Sequence, residues 1–272
     1  MENSKPLSNT SLRVGKSLVF LVVGLLLLGW IVNTPPGMLG KADAVGYAVC
    51  HRIDVRSFHL GERQLPLCAR CSGMFLGAML GLGYQSYLGK RRGGMPGKGI
   101  LSVFGCLVAA FALDGLNSYL HLFPGAPGLY EPQNWLRLAT GSGMGLVIAG
   151  MLYPAFHQTL WKQWDRQPAL QGIRSLGALF VLAAILDLMV LTENPLILFP
   201  LALLSAAGVL VLLTLIYTML WLMILRAENR FERAAQLLLP LLGGFGTALV
   251  QIAMLDGLRY LLTGTWAGFQ LG

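Results

Sequence analysis

The sequence predicts an all-α fold, a polytopic transmembrane helical bundle of about seven helices. Of its 272 residues, 55% are hydrophobic, and the mean hydropathy of +0.64 is too high for a water-soluble domain. Apolar segments of about 20 residues, the length that crosses a bilayer, recur along the chain. The candidate spans are residues 17–33, 71–89, 99–121, 135–154, 174–192, 197–225 and 235–258. The chain is therefore expected to be a multi-pass protein of the cell membrane, inner or plasma, with the lipid bilayer as its partner.

The positions of Lys and Arg predict the orientation of this bundle. Thirteen of the twenty lie in segments 1–16, 90–98, 155–174 and 226–234. The opposite loops 122–134, 193–196 and 259–272 hold only Arg259. Because cytoplasmic loops are enriched in Lys and Arg, the N-terminus is predicted inside and, after seven spans, the C-terminus outside. The net charge of +8 is thus a topology signal, and we expect no nucleic-acid partner.

The first span is interpreted as a retained anchor. Basic residues precede it, as in a signal peptide, but Val32 to Pro36 lacks the small-x-small pattern of a cleavage site. We divide the chain into an N-terminal anchor helix and linker at 1–45, a motif-bearing membrane core at 46–155 and C-terminal transmembrane helices at 156–272.

The segment between the first two spans holds most of the reactive side chains of the chain. Cys50 and His51, followed by Cys68 and Cys71, offer the four ligands of a tetrahedral zinc site. Zinc is favoured because it accepts mixed sulfur and nitrogen ligands, whereas carboxylates would indicate magnesium or calcium. A disulfide between Cys68 and Cys71 is the alternative, since the outer compartment is often oxidising.

Local signals place these ligands at helix ends. A short interfacial helix over residues 42–49 is predicted to deliver Cys50 and His51 to the membrane surface. Pro66 excludes helix just before Cys68, and the second span is predicted to open at Cys71 with Ser72 as its N-cap. Such a position lowers the pKa of a thiol and favours the thiolate.

The loop at 34–70 is predicted to lie outside, yet it is rich in positive charge: Lys41, Arg52, Arg56, Arg63 and Arg70. Long outer loops tolerate positive charge, which is one explanation. The other is that some of the arginines bind an anionic partner, because a guanidinium grips phosphate or carboxylate with two hydrogen bonds.

Two glycine ridges predict that the second and fourth spans pack together. Gly73, Gly77 and Gly81 recur at every fourth position of one, and Gly141 and Gly145 do so in the other. Small residues at this spacing let membrane helices approach closely.

The third span carries Asp114, Asn117 and His121 on one helix face. A carboxylate inside a membrane implies a partner, a cavity or a function, and Arg137 at the start of the fourth span is the expected partner. The sequence around Asp114, Leu-Asp-Gly-Leu, recurs around Asp256 in the last span, which hints at an internal repeat.

The motifs of this region resemble a known family. Cys50-His51, Arg56-Ser57-Phe58 and the segment Pro66 to Gly73 match the pattern C-H-x(4)-R-S-F…P-x-C-x-R-C-[ST]-G of a prokaryotic family of integral membrane proteins of unknown function. The resemblance extends over about residues 46–155 and also includes Asp114-Gly115 and Arg137 to Gly141. It implies that the following residues form one constellation: Cys50, His51, Arg56, Cys68, Arg70, Cys71, Asp114 and Arg137. It implies no reaction.

Three functions are left open by the residues. The first is a membrane metalloenzyme acting at the outer interface on an anionic or lipid-linked substrate, with Asp114 and Arg137 catalytic and Arg56, Arg70, Asn117 and His121 binding the substrate. The second is a non-enzymatic metal-handling, thiol-redox or assembly factor. The third is a transporter, for which glycine-rich helices and an intramembrane Asp give generic support.

The charge asymmetry makes the topology testable. We expect a membrane-impermeant thiol reagent, applied to intact cells, to label Leu60→Cys above the background of the parent chain and to leave Met95→Cys unlabelled until the membrane is permeabilised. Labelling of the variant at position 95 without labelling at position 60 would invert the bundle.

Overall fold

The computed structural model describes residues 9–123 and 128–268, with side chains from residue 15 onward, and confirms the all-α membrane fold. Its α-helices are α1 Asn9–Asn33, α2 Gly37–Val49, α3 Ala69–Leu88, α4 Lys98–Leu120, α5 Asn134–Leu160, α6 Gly172–Leu191, α7 Pro195–Ile224 and α8 Leu238–Thr263. Single 3₁₀ turns occupy Asp54–Arg56 and Ala234–Leu237.

Short strands join the loops at the two ends of α3. Before α3, β1 (His59–Leu60) and β2 (Arg63–Gln64) form an antiparallel hairpin in which His59 lies opposite Gln64. After α3, β3 (Arg92–Gly94) pairs in parallel with β4 (Asp165–Pro168), which links the α3–α4 loop to the α5–α6 loop. The first hairpin lies at the end of the bundle that carries the candidate ligands.

The seven long helices coincide with the seven predicted spans, but six of them are long and apolar enough to cross a membrane by composition alone: α1, α4, α5, α6, α7 and α8. The remaining one, α3, is 20 residues long and rich in small residues. It lies inside the bundle against α5, α6 and α7, so much of its surface contacts other helices and does not need apolar side chains. The chain is therefore a multi-pass membrane protein, and its orientation stays a prediction.

The predicted packing of the two glycine ridges is confirmed. A Cβ atom at Gly141 of α5 would overlap the carbonyl oxygen of Arg70 in α3. Gly73, Gly77 and Gly145 approach the backbone of the facing helix just as closely. The α3 and α5 backbones therefore touch, which fixes the first turn of α3 against the start of α5.

The helix before Cys50 differs from the prediction in length and packing. It begins at Gly37, and Ala44 and Tyr47 are fully buried where α2 packs on α7 and α8. The predicted helix over 42–49 is confirmed, and its Ala and Gly residues allow it to pack against other helices. Its place at the membrane interface stays a prediction. A Cβ at Gly46 would overlap the carbonyl oxygen of Pro66, so the end of α2 lies directly on the chain that enters α3.

The N-terminus of α3 lies earlier than predicted. The helix begins at Ala69, Cys68 is its N-cap residue, and no side chain caps it. Ser72 is not the cap, since its Oγ instead donates a hydrogen bond to the carbonyl of Leu67 at 3.2 Å. Cys68 and Cys71 nevertheless occupy the cap and the first turn, as the predicted turn into a helix requires.

Candidate functional site

Three cysteines from two helix ends come together beside α7. Cys50 directly follows α2, Cys68 is the N-cap of α3, and Cys71 lies in the first turn of α3. Their Sγ atoms all lie within 4.8 Å of one another. Cys50 and Cys68 are buried, Cys71 is half-buried, and all three are free thiols. Three sulfur atoms at this separation can bind one metal ion.

The hydrogen bonds of this group favour a thiolate at Cys50. The backbone N–H of Cys68 donates to Cys50 Sγ at 3.3 Å. Hydrogen bonds from the Cys68 and Cys71 thiols hold the pKa of Cys50 well below its usual range. The same bond to Cys50 raises the pKa of Cys68 to about 12, so the proton stays on Cys68. The Cys68 N–H, at the start of α3, adds a smaller stabilising contribution to that of the two thiols.

His51, the fourth predicted ligand, is not part of the sulfur group. Its Nδ1 accepts a hydrogen bond from the backbone N–H of Ile53 at 3.1 Å. Burial lowers the pKa of His51, the charge of Cys50 raises it, and three nearby arginines lower it further: Arg56, Arg70 and Arg137. The imidazole therefore interacts electrostatically with both Cys50 and the three arginines. Its role as a metal ligand stays a prediction.

The backbone around Cys50 is held by α8. The guanidinium of Arg259 donates to the carbonyl oxygens of Tyr47 and Cys50, both at 2.6 Å, and to that of His51 at 3.2 Å. It also lies 4.0 Å over the Tyr47 ring. The Tyr47 carbonyl belongs to the last turn of α2, where carbonyls lack partners within the helix, and those of Cys50 and His51 follow the helix directly.

Asp114 forms a buried ion pair with Arg70. Oδ2 of Asp114 accepts from Nε of Arg70 at 3.1 Å and also contacts its Nη2. Oδ1 accepts from the Tyr130 hydroxyl at 2.9 Å, and Thr140 Oγ1 donates to Oδ2 at 3.3 Å. The prediction that Arg137 pairs with Asp114 was wrong. Arg70, in the first turn of α3, reaches Asp114, whereas Arg137 is turned towards Asn134, to whose Oδ1 its Nη1 donates at 2.8 Å.

Three arginines converge on one serine of α4. Arg70 Nη2 donates to Ser118 Oγ at 2.9 Å, and Arg137 Nε donates to the same oxygen at 3.4 Å. Arg56 Nη2 donates to the backbone carbonyl of Ser118 at 3.0 Å. Burial and the neighbouring Arg70 lower the pKa of Arg56.

Positive charge exceeds negative charge in this cluster. Asp114 pairs with Arg70, and in the ranges that the structure describes neither Arg56 nor Arg137 lies within ion-pair distance of a carboxylate. The cluster therefore holds guanidinium groups able to accept an anion.

The other two residues of the predicted face have different surroundings. Asn117 is buried and fixes the loop that carries Tyr130, since its Oδ1 accepts from the N–H of Leu129 at 2.7 Å and its Nδ2 donates to the Tyr130 carbonyl at 2.8 Å. His121 is exposed, and its Nδ1 hydrogen-bonds the carbonyl of Asn117 at 2.9 Å. In the part of the chain that the structure describes, the hydrogen bonds of Asn117 and His121 do not involve the arginines, and the binding roles of these two residues stay predictions.

Four residues of the site were not predicted for it: Ser118, Tyr130, Thr140 and Arg259. Ser118 follows Asp114 by four residues and shares its helix face, so the spacing could have identified it. Thr140 stands within the motif that carries the family resemblance. Tyr130 and Arg259 lie in a loop and in the last helix, where no pattern connects them to the cysteine segment.

Comparison with known proteins confirms the resemblance to a membrane family of unknown function. Residues 50–151 match the model of a family described as predicted membrane protein (DUF2085). Over 122 residues the chain is 27% identical to an uncharacterised protein of Methanocaldococcus jannaschii, an alignment that covers 44% of this chain and 72% of the relative. No solved structure matches the chain. The matched segment contains the three cysteines and the three converging arginines.

The buried Arg70–Asp114 pair is expected to contribute to folding as a unit. Asp114→Leu leaves the half-buried guanidinium of Arg70 without its carboxylate, and Arg70→Met leaves the buried carboxylate of Asp114 without its guanidinium. The second change should therefore destabilise the protein more, by about 3–5 kcal/mol. The double variant should be less destabilised than the sum of the two. Thermal unfolding in detergent, followed as a double-mutant cycle, measures the coupling. Additive single effects would mean that the two side chains contribute independently.

Proposed function

We propose that this chain is a zinc-binding enzyme of the cell membrane that acts on a substrate with an anionic group, such as a lipid-linked phosphate or carboxylate. The observation that carries the proposal is the approach of three cysteine sulfurs to within 4.8 Å of one another. The family to which residues 50–151 are similar has no activity in its description, so the chemistry is argued from the site alone.

The cysteine group fits zinc in its donor type. Zinc binds thiolates in tetrahedral sites, and three sulfurs from Cys50, Cys68 and Cys71 leave one position. Filled by His51, that position makes a closed structural site. Filled by water or substrate, it makes an open site in which the metal supplies Lewis-acid chemistry. The half-buried position of Cys71 supports access to the group from outside.

The arginine cluster supports an anionic substrate. Arg70 is neutralised by Asp114, while Arg56 and Arg137 donate to Ser118 and Asn134, which are neutral. A phosphate or carboxylate that bound here would replace neutral acceptors with charged ones, and such charge-assisted hydrogen bonds are stronger. Because Arg70 lies between Cys68 and Cys71 at the start of α3, the anion would bind next to the cysteine group.

The contacts of Asp114 suit the positioning of an arginine. Both of its oxygens accept hydrogen bonds and its side chain is 1% exposed. It can therefore orient Arg70 towards a substrate, as charged residues around a preorganised site do. The general-base role stays a prediction, because a base needs an oxygen that is open to the substrate proton.

A specific observation favours thiol chemistry as the second candidate. Cys50 has a lowered pKa and two further thiols beside it, which is the arrangement that thiol–disulfide exchange requires. In that case the chain would be a non-enzymatic redox or assembly factor. A transporter, the third possibility, rests on the composition of the helices.

Metal analysis separates these functions. Protein purified anaerobically in detergent is expected to contain one zinc ion per chain by elemental analysis. Cys50→Ser, Cys68→Ser and Cys71→Ser should each lose most of it, because zinc sites depend on every thiolate. Cys106→Ser is the matched control, since this fourth cysteine lies exposed on α4, and it should retain the metal.

One result would contradict the zinc proposal. Substoichiometric metal together with a disulfide among Cys50, Cys68 and Cys71 would establish the redox function. His51→Ala tests the fourth position separately. Loss of zinc in this variant would identify a closed site, and retention would identify a site open to water or substrate.

The anion site is tested by an arginine-to-lysine pair. Arg137→Lys keeps the charge but removes the planar fork, so it should weaken the binding of inorganic pyrophosphate by about tenfold while the unfolding midpoint changes little. Arg63→Lys is the matched control, because Arg63 lies at the surface, where it pairs with Asp43 at 2.5 Å. Equal affinity in both variants would make Arg137 a structural residue.

If Arg137→Lys does weaken pyrophosphate binding, the source of the anion is tested next. Binding of the protein to vesicles with and without phosphatidic acid shows whether a lipid carries the anionic group.

A further inference from the structure

A cavity of about 600 Å³ lies between α1 and α8, outside the cysteine and arginine clusters. This volume is typical of a small-molecule site. One part of its wall is apolar, formed by Leu25, Leu26 and Leu249, and another is aromatic and acidic, formed by Trp30, Asp256 and Tyr260. Leu25 is 60% exposed, so the cavity is open on the side that faces lipid.

The carboxylate of Asp256 is buried with one oxygen unsatisfied. The residue is 4% exposed. Its Oδ2 accepts a hydrogen bond from Trp30 Nε1 at 3.4 Å, and within the described residues its Oδ1 accepts none. Leaving a buried carboxylate oxygen unpaired is costly.

Asp114 shows what the same local sequence does elsewhere in the chain. Both residues occur in Leu-Asp-Gly-Leu, and both are buried. Each oxygen of Asp114 accepts a hydrogen bond, including those from Arg70. Within the described residues Asp256 has a single hydrogen bond, the long one from Trp30 to Oδ2, so this acid accepts fewer hydrogen bonds than Asp114 does.

The remaining groups define the chemistry of that ligand. Trp30, Tyr260 and Trp266 line the cavity beside the carboxylate, and the rings of Tyr260 and Trp266 lie 5.6 Å apart. Aromatic faces attract cations, and a carboxylate accepts hydrogen bonds from N–H groups. Leu249 precedes Asp256 by two helical turns, so the apolar wall extends along the helix axis away from the acid.

We propose that this cavity binds an amphiphile with a protonated primary amine. The ammonium group donates to Asp256 and lies against the aromatic rings, and the apolar tail follows Leu25, Leu26 and Leu249. Asp256 lines the cavity, and its Oδ2 accepts only the 3.4 Å bond from Trp30, so this oxygen has capacity for a second donor. A quaternary ammonium offers no N–H and cannot make this hydrogen bond.

The test compares three ligands of equal chain length on the full chain in lipid nanodiscs. Decylamine, decyltrimethylammonium and decanol are titrated while the unfolding midpoint and tryptophan fluorescence are recorded, with empty nanodiscs subtracted. Decylamine is expected to bind at least tenfold more tightly than decanol and more tightly than the quaternary amine. Asp256→Asn should weaken decylamine at least tenfold, whereas Asp187→Asn, at a half-buried carboxylate of α6, should not.

A pair of glycines on α1 supplies a second, independent test. A Cβ at Gly29 or at Gly24 would meet no atom within 4 Å, so both positions accept a larger side chain without a clash. Gly29 lines the cavity and Gly24 does not. Gly29→Leu should abolish decylamine binding and Gly24→Leu should preserve it, even if Asp256→Asn does not fold. Equal binding of decanol, or equal binding in the two leucine variants, would overturn the proposal.

Discussion

Contact between the backbones of α3 and α5 determines where the residues of the candidate site lie. At Gly141 the two helices are so close that a Cβ would overlap the carbonyl of Arg70. This contact holds the first turn of α3, with Cys71 and Arg70, at the same level as the first turn of α5, with Arg137. Side chains long enough to span a helix diameter then reach the same point on α4, which is Ser118. The cysteines depend on the same constraint, because Cys68 caps the helix that the contact fixes.

The arrangement of charge follows from this packing. Helices that touch through glycine leave little room between them, so Arg70 and Arg137 extend sideways to α4. Arg70 meets Asp114, and Arg137 ends on neutral oxygens. A membrane protein gains nothing in stability from guanidinium groups without carboxylates, since burying a charge is costly. Their presence beside three sulfur atoms is a better sign of function than the number of cysteines alone.

Much of the fold and part of the site could be predicted from the sequence. Hydropathy predicted most of the ends of the long helices to within a few residues, because the bilayer imposes both the length and the composition of a span. Spacing identified the three cysteines, and glycine periodicity identified the α3–α5 contact. Which arginine pairs with Asp114 could not be predicted in the same way. Arg70 and Arg137 are equivalent candidates for Asp114 on sequence, and the outcome depends on how the two helices are rotated about their axes.

Environment was harder to predict than helix position. The segment before Cys50 was expected as a surface-lying helix and instead packs against α7 and α8, since its small residues suit a packed helix as well as a surface one. The unpaired oxygen of Asp256 has no sequence signature, because Asp114 stands in the same four residues with every oxygen satisfied. Local sequence specifies that an acid enters the membrane, and the neighbouring helices decide whether a donor meets it.

The guanidinium of Arg259 connects two regions that the chain keeps far apart. Arg259 follows Asp256 by three residues on α8, and its guanidinium donates a hydrogen bond to the carbonyl of Cys50. A shift of α8 therefore moves a donor to the backbone that presents a sulfur ligand. Any occupant of the α1–α8 cavity that favours one position of α8 would change the affinity for metal, and the metal would change the affinity for the occupant by the same factor, because linkage between two sites is reciprocal. Residues outside the matched segment 50–151 would then regulate the chemistry inside it.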